Sequence, residues 1–560
     1  MLWELFSTAR DLGRLQDIAS TFVRYGFGDA VRRLGLAGAL ERAGKALHWN
    51  QAAELARLNP PERVRHALQD LGPTFIKLGQ ILATRVDLFA PEWIVEFEKL
   101  QDRAPPADSG EVRAQIVEDL GAAPEDVFSM FDPQPIAAGS IAQVHRARLA
   151  DGTEIAVKVR RPGIRPIVEA DLRLMARLAE VLEAEFPGFA QFRPREVVRQ
   201  FTHTLRRELD LAAECRSAER VAESFRGDPG IVVPKVYWQW TGERMNVQAY
   251  VDGVPSRDLA AVDRAGLDRH ALARRGAQAV LKMMIDDGFF HADPHPGNVF
   301  YLPESRIAFI DFGMVGRLTE RRRDELVGLL NGLVERDSGR VVDVLLDWAG
   351  TVQVDREKLA VDIYGFVDQY HGVPLNRLSL GSMLMDMTTL LRDHKLPLPP
   401  DLALVLKTCV TLESIGRELD PDFDMVGEAA PFLRAAMLAR HAPAALARRG
   451  WRALATLVEI LAELPQDLRQ LLRSTRSSGL QVHVDVTRLN RFGDRLNGAA
   501  NRLTVGVVIA ALIIGSSIVM TVEGGPTLLG LPFFGLIGFL GAVAGGVWLL
   551  FSIWHSSRGD

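Results

Sequence analysis

Four polar side chains, far apart along the 560-residue chain, have the types and spacing of phosphoryl chemistry. Lys158 ends the apolar, strand-like Ile155-Ala156-Val157-Lys158, from which an ammonium could reach the phosphates of a nucleotide. His291-Ala292-Asp293-Pro294-His295-Pro296-Gly297-Asn298 carries a carboxylate and a carboxamide in the pattern D-x-x-x-x-N. Its two prolines and its glycine exclude a helix or a central strand, so this is a shaped loop. Ile307-Ala308-Phe309-Ile310 then reads as an apolar strand that delivers Asp311, and Gly313 lets the backbone turn away behind it. Phosphoryl transfer needs a cation on the phosphates, carboxylates to hold Mg²⁺ and a backbone loop over the nucleotide. Each is present. His291 and His295 could suggest a zinc pair, but no further Cys/His cluster accompanies them.

Such residues need a sheet to present the lysine and a helical body to hold the loops. From Pro135 the chain reads IAAGSIAQVHRARLADGTEIAVKVRRPGI, alternating apolar residues about an Asp151-Gly152 turn, which predicts a β-hairpin. Helical periodicity returns from Asp171 to Phe186 and from Val197 to Phe225. Strand-like pieces follow at Ile231–Tyr237 and Met245–Val251. From Asp258 to Leu472 the pattern is helical apart from Asn298–Val315. Upstream, residues 1–106 are helical, broken near Asn59-Pro60-Pro61 and closed at Ala104-Pro105-Pro106. A small sheet-rich lobe, 107–254, thus precedes a larger helical lobe, 255–480.

The C-terminus has another texture. After a linker at 481–502, Leu503–Val522 carries no charge over about 20 residues, enough to cross a bilayer as a helix. Glu523-Gly524-Gly525-Pro526 breaks it, and a second uncharged run extends to Trp554, with Gly541 and Gly545 spaced for close helix approach. A transmembrane hairpin over 503–554 is expected. Arg488, Arg491, Arg495 and Arg502 precede it and Arg558 follows, which places the rest of the chain in the cytoplasm. The N-terminus lacks the basic region of a secretory signal. With 66 basic against 71 acidic residues, a net charge of −5 argues against a general nucleic-acid binder. Two cysteines, Cys215 and Cys409, cannot make a disulfide framework.

Ile155–Lys158 resembles the V-A-I-K strand of protein kinases, and Asp293 stands eighteen positions before Asp311, the separation kinases use. Where kinases have a glycine-rich loop, this chain has Ala137, Ala138, Gly139, Ser140, Ile141, Ala142, Gln143 and Val144. Alanines there stiffen the loop and crowd the phosphates. Lys77-Leu78-Gly79-Gln80 lies in a helical pattern, with Phe75, Leu78 and Leu82 on one face and Lys77, Gln80 and Thr84 on the other. A glycine inside a helix costs about 1 kcal/mol against alanine, which points to close packing at Gly79. Glu208, Asp210 and Glu214 follow where a kinase places the acidic partner of its lysine, and Glu208 is the expected partner of Lys158.

Together the K-x-G-Q helix, alanine-rich loop, E-x-D, H-x-D-x-H-x-G-N and D-F-G motifs resemble the UbiB/AarF-domain family of atypical kinases, over roughly residues 65 to 425. The resemblance implies an α+β, protein-kinase-like two-lobed fold with a helical N-terminal extension over the substrate cleft and a C-terminal transmembrane hairpin. It implies ATP and Mg²⁺ as cofactors, ATPase activity, and a role in ubiquinone biosynthesis at a bacterial inner membrane. It places phosphate contact at Lys158, metal at Asn298 and Asp311, and the catalytic-loop role at Asp293. Lys77, Gln80, Glu208 and Asp210 become a regulatory set. Expected partners are membrane lipid and quinone precursors, ubiquinone-biosynthesis proteins, or a second copy of the chain. A true kinase and an ATP-gated scaffold are the competing readings. The chain departs from its relatives at Gly139, where many have alanine, and in the hinge, which lacks an acidic residue before Tyr250.

Overall fold

The computed structural model describes residues 9–33, 58–86, 88–100, 104–185, 193–349, 354–370, 380–396 and 398–441, and short pieces between 510 and 545. The chain divides into two compact units, Met1–Ala447 and Arg448–Asp560.

The N-terminal extension of the first unit comprises α1 (Ala9–Arg24), α2 (Gly28–Arg33), α3 (Pro60–Leu71), α4 (Pro73–Leu82) and α5 (Pro91–Glu98). Proline opens α3, α4 and α5, where its missing N–H goes unneeded and its fixed φ suits the first turn. Gly72, at φ +93°, makes the sharp corner between α3 and α4. Leu68, Leu71, Phe75, Phe97 and Leu100 bury their side chains in one cluster with Val168, Leu172 and Phe201. Gly79 is the contact point expected from its sequence. A Cβ there would lie 2.1 Å from Leu100 Cδ1 and 3.0 Å from Leu68 Cδ1.

Next come α6 (Ser109–Leu120), α7 (Pro124–Val127) and an antiparallel sheet in the order β1-β2-β3-β5. Its strands are β1 (Met130–Ala138), β2 (Ala142–Arg148), β3 (Glu154–Arg160) and β5 (Met245–Ala249). The β2–β3 turn is the expected Asp151-Gly152, with Gly152 at φ +88°. Ile155, Val157, Val159 and Val247 face one side and bury against Ile116 and Phe128. Strand alternation therefore sends Lys158 to the opposite face, level with Val144 and Asn246.

Helix α8 (Ile164–Glu185) is followed by two helices where one was expected over 197–225: α9 (Pro194–Glu208) and α10 (Leu211–Ser224). Asp210 causes the break. Its carboxylate accepts a 3.2 Å hydrogen bond from the Ala213 N–H and caps α10.

The larger lobe holds α11 (Leu259–Arg264) and α12 (Arg269–Ile285), then α13 (Glu320–Glu335), α14 (Ser338–Ala349), α15 (Arg356–Tyr370), α16 (Leu380–Asp393), α17 (Pro400–Leu419) and α18 (Met425–His441). Between α12 and α13 lie β7 (Phe289–His291), β8 (Val299–Leu302), β9 (Arg306–Phe309) and β10 (Val315–Arg317). The strand expected over Ile231–Tyr237 divides: β4 (Ile231–Val232) pairs in parallel with β9, while Val236 makes an antiparallel bridge to Gln248 of β5 in the first sheet. With β6 (Val254–Pro255), these make the order β4-β9-β8-β6, so both strands reach across from the small lobe's sequence. Met283, Phe290, Phe309, Phe312 and Leu402 share the core beneath.

In the second unit, Thr527–Leu528 pairs antiparallel with Leu531–Pro532 between helical pieces at 513–518 and 540–545. Gly538 gives the close approach there, since a Cβ on it would stand 3.0 Å from Ser516 Cβ. At Gly541, one of the two glycines expected in that role, a Cβ would meet nothing within 4 Å. Most of the expected linker and hairpin lies outside the described residues. Among those described, no helix is long and apolar enough to cross a membrane.

Candidate active site

Helix α10 crosses the face of the sheet that carries Lys158, anchored by Leu211, Ala212, Cys215 and Ala218. The Lys158 Nζ donates to Glu214 Oε1 at 3.0 Å and Oε2 at 2.8 Å, and to Asp311 Oδ2 at 3.2 Å. One ammonium holds two carboxylates. The expected partner, Glu208, is not among them. The break at Asp210 turns α9 away from Lys158, and Glu208 pairs with Lys77 of the extension instead.

Burial opposes the charge on Lys158, but the carboxylates of Asp311 and Glu214 outweigh it and keep the ammonium protonated far above its usual range. Burial dominates at Glu214, pushing its carboxyl up to about 7 against the pull of Lys158. At Asp311 burial is beaten by the ammonium groups of Lys158 and Lys77, which hold that carboxyl well below its ordinary value. Asp311 is therefore the ionised member. With 44% of its side chain open to solvent, it remains reachable by a metal.

Asp311 follows β9 at φ +59°, a left-handed conformation that short acidic side chains tolerate when they bond locally. Its Oδ1 does so, accepting the Gly313 N–H at 3.2 Å. His291 braces the adjoining loop. Its Nε2 donates to the Ile310 carbonyl at 3.0 Å, its Nδ1 accepts the Asp293 N–H at 3.2 Å, and its ring packs 5.0 Å from that of Phe312. Burial holds His291 below its usual pKa and thus neutral.

The Asn298 carboxamide donates to the Asp293 carbonyl at 3.2 Å, which leaves its oxygen for a cation. The Ile310 N–H bonds the Asn298 carbonyl at 2.9 Å and ties the loop to the strand leading into Asp311. An amide oxygen and a carboxylate are hard donors, the set that suits Mg²⁺, which keeps waters and phosphate oxygens in its remaining positions. No group of three or more His, Cys, Asp or Glu converges among the described residues, so the donor set does not suit zinc.

The alanine-rich segment forms the turn from β1 into β2. Gly139 N–H bonds the Ala142 carbonyl at 2.8 Å, and Arg161 donates to the Gly139 carbonyl at 2.8 Å and the Pro105 carbonyl at 2.6 Å. A strap at 104–107 closes on it through Ala104 N–H to the Ala138 carbonyl at 3.1 Å. Gln143 belongs to this strap rather than to a phosphate. Its Oε1 accepts the Ala107 N–H at 2.9 Å, its amide nitrogen meets His145 Nε2 at 2.8 Å, and it is only 1% exposed. Gln80 likewise braces the extension, donating to the Leu100 carbonyl at 3.1 Å. Asp210 caps α10 and pairs with Arg216 at 2.8 Å.

Lys407 belongs to no sequence motif, yet it reaches the site. On α17 its Nζ donates to Asp293 Oδ1 at 2.8 Å. Its neighbour Thr408, fully buried, places its hydroxyl 2.8 Å from the Leu404 carbonyl of its own helix and 3.3 Å from the Ala292 carbonyl, which share its one proton. Burial opposes ionisation of Asp293, but Lys407 and His295 prevail and hold that carboxyl below its usual range. A lone lysine interrupting the apolar run from Leu402 to Val410 was the one available signal.

The chain is similar to known proteins along most of its length. The ABC1 atypical kinase-like domain matches residues 99–345, the UbiB helical domain residues 363–424, and the ABC1/UbiB kinase-like C-terminal domain residues 487–555. A relative from Enterobacter sp. (strain 638), "Probable protein kinase UbiB", is 33% identical over 517 residues, covering 91% of this chain and 94% of the relative. The solved Rv3197–erythromycin complex from Mycobacterium tuberculosis is 24% identical, with a TM-score of 0.45, and covers 65% of this chain and 92% of that one. The chain belongs to the ABC1/UbiB family of atypical kinase-like proteins.

Proposed function

We propose that the chain binds ATP with Mg²⁺ between its lobes and hydrolyses it, as an atypical kinase-type ATPase that supports ubiquinone biosynthesis by handling lipid-like precursors at a membrane. The observation that carries the site is the convergence of Lys158 and Asp311 at 3.2 Å, beside a loop that presents Asp293 and Asn298. Lys158 would contact the nucleotide phosphates, and Asp311 with Asn298 would hold Mg²⁺. When bound, Mg²⁺ neutralises charge on the phosphates. Asp293 orients the attacking water and takes its proton as oxygen bonds to the γ-phosphorus. The bond from phosphorus to the bridging oxygen breaks, and ADP and phosphate leave.

Water or a small acceptor is favoured over a protein because the extension brings Lys77 close enough to act on Asp311. The biosynthetic role follows from the family. Membrane attachment is supported by the uncharged stretches at 503–522 and 528–554 and by exposed Ile513, Ile514, Ile518, Leu540 and Val543.

Two measurements test the reading. Mg-ATP should raise the melting temperature of the chain and release phosphate, and Asp311→Ala should lose both responses. Unchanged nucleotide stabilisation in that variant refutes the metal role. A strain lacking the chain should lose ubiquinone and accumulate a prenylated precursor; a normal quinone extract refutes the biosynthetic role.

A further inference from the structure

The loop from Asp293 to Asn298 reads Asp-Pro-His-Pro-Gly-Asn and contains no lysine or arginine. A carboxylate asked to work beside a triphosphate is repelled by it unless a fixed cation lies between or behind them. Within this loop His295 is the one side chain that could carry positive charge, and its Nε2 stands 3.8 Å from Asp293 Oδ2, beyond hydrogen-bond reach. The cation comes from 114 positions away. Lys407 Nζ lies 2.8 Å from Asp293 Oδ1, with 26% and 29% of the two side chains exposed.

We propose that Lys407 is the positioning residue of the catalytic loop: it fixes Asp293 through one carboxylate oxygen and leaves the other to the attacking nucleophile. This rests on the reading that Asp293 takes part in ATP turnover. The anchoring is rigid for two reasons. Lys407 sits in the interior of the 20-residue helix α17, and the buried hydroxyl of Thr408, next to it, lies 3.3 Å from the Ala292 carbonyl immediately before Asp293 while also bonding the Leu404 carbonyl at 2.8 Å. Consecutive residues of one helix thus grip the loop by backbone and by side chain.

The grip also gives a chemical role to α17, which lies within the UbiB helical domain matched at 363–424. Sequence motifs place no functional residue there. Glu98, at the end of α5, is near enough to feel the charge of Lys407, so the extension faces the same ammonium. Lys407 therefore stands where extension, helical domain and catalytic loop meet.

A purely structural ion pair would lower stability and leave turnover of the folded fraction intact. A positioning role separates kcat from KM. In the full-length protein, Lys407→Met should lower kcat for ATP about 10- to 100-fold, a part of the 10²–10⁴ typical of acid–base catalysis, with KM within about threefold. Lys407→Arg should recover most of the rate, because a guanidinium can still reach the carboxylate, whereas Lys407→Gln should not. The double variant Asp293→Asn/Lys407→Met should be no slower than Asp293→Asn alone, since both act through one oxygen pair.

If Lys407→Met turns over ATP at the wild-type rate while Asp293→Asn is inactive, the positioning role is wrong and the ATPase reading stands. If Asp293→Asn is as fast as wild type, both fall together. Should Lys407→Met fail to fold, the contrast of Arg with Gln decides, and equal rates in those two overturn the proposal.

Discussion

Glu214→Gln tests the arrangement in which Lys158 serves two carboxylates. Glu214 is 7% exposed and bonded to Lys158 through both oxygens, yet burial lifts its carboxyl to about 7 from an ordinary 4.5. A folded-state pKa above the unfolded one means that the folded protein takes up the proton more readily. The associated stability is complete below pH 4.5 and is lost as pH rises through about 7. That displacement corresponds to at most about 3 kcal/mol for this buried, coupled group. Glutamine keeps the shape and one acceptor but cannot titrate, and Lys158 retains Asp311, so no ammonium is orphaned. The depressed carboxyl of Asp311 titrates below 3.8, outside this window. Urea unfolding of wild type and variant, without nucleotide and in a chelator, should therefore give curves that diverge. From pH 5 to 7.5 the wild type should lose stability relative to the variant, by roughly 1 to 3 kcal/mol once residual solvation is allowed for. Parallel pH profiles would show that Glu214 is an ordinary ionised partner and that the lysine is not shared as described.

Three further outcomes are expected. Gly79→Ala drives a methyl to 2.1 Å from Leu100 Cδ1, so despite better helix propensity it should destabilise the extension by about 1 to 3 kcal/mol, seen as faster proteolysis within residues 60–100. Gln143→Ala removes the acceptor of the Ala107 N–H and should cost about 1 to 2 kcal/mol, with faster hydrogen exchange at Ala107 and unchanged ATP affinity. Deleting 503–560 should move the protein from the membrane pellet to the supernatant, and a truncated form that still pellets with membranes defeats the anchor.

The sequence made some of this legible and hid the rest for physical reasons. Lys158, Asp293, Asn298 and Asp311 each sit in a short segment whose residue types dictate its local shape, so residue type and spacing sufficed to single them out as candidates. Gly79 was readable because a glycine in a helix needs a packing reason, and Leu100 supplies it. The partner of Lys158 was not readable, because the choice between Glu208 and Glu214 depends on where one helix stops. Asp210 satisfies the Ala213 N–H, ends the first helix, and redirects everything after it. Gln143 looked like part of a phosphate loop by position, but its amide is occupied by a strap that only the folded chain brings near. Lys407 lies beyond local inference altogether, since its partner is set by how α17 packs beneath the loop.

Before nucleotide arrives, the site's formal charges are unbalanced in a way that bears on ATP itself. Around Lys158 stand two carboxylates, so the cluster is negative whenever Glu214 is ionised, and its proton is half lost near pH 7. A bare triphosphate entering this cleft meets Asp311, whose ionised form Lys158 and Lys77 enforce. At about 4 Å and an effective dielectric near 20, one unit of like-charge repulsion is roughly 4 kcal/mol, and screening and the neighbouring ammonium groups reduce it severalfold. A divalent cation reverses the sign, because Asp311 then faces a positive charge and Lys158 is released to the phosphates. ATP affinity measured by calorimetry at pH 8, where Glu214 is ionised, should accordingly fall at least about tenfold in a chelator, the equivalent of 1.4 kcal/mol. The loss should shrink at pH 6, where Glu214 is protonated. Equal affinity with and without Mg²⁺ at both pH values would mean that Asp311 does not face the phosphates, and the metal would then have no place in this cleft.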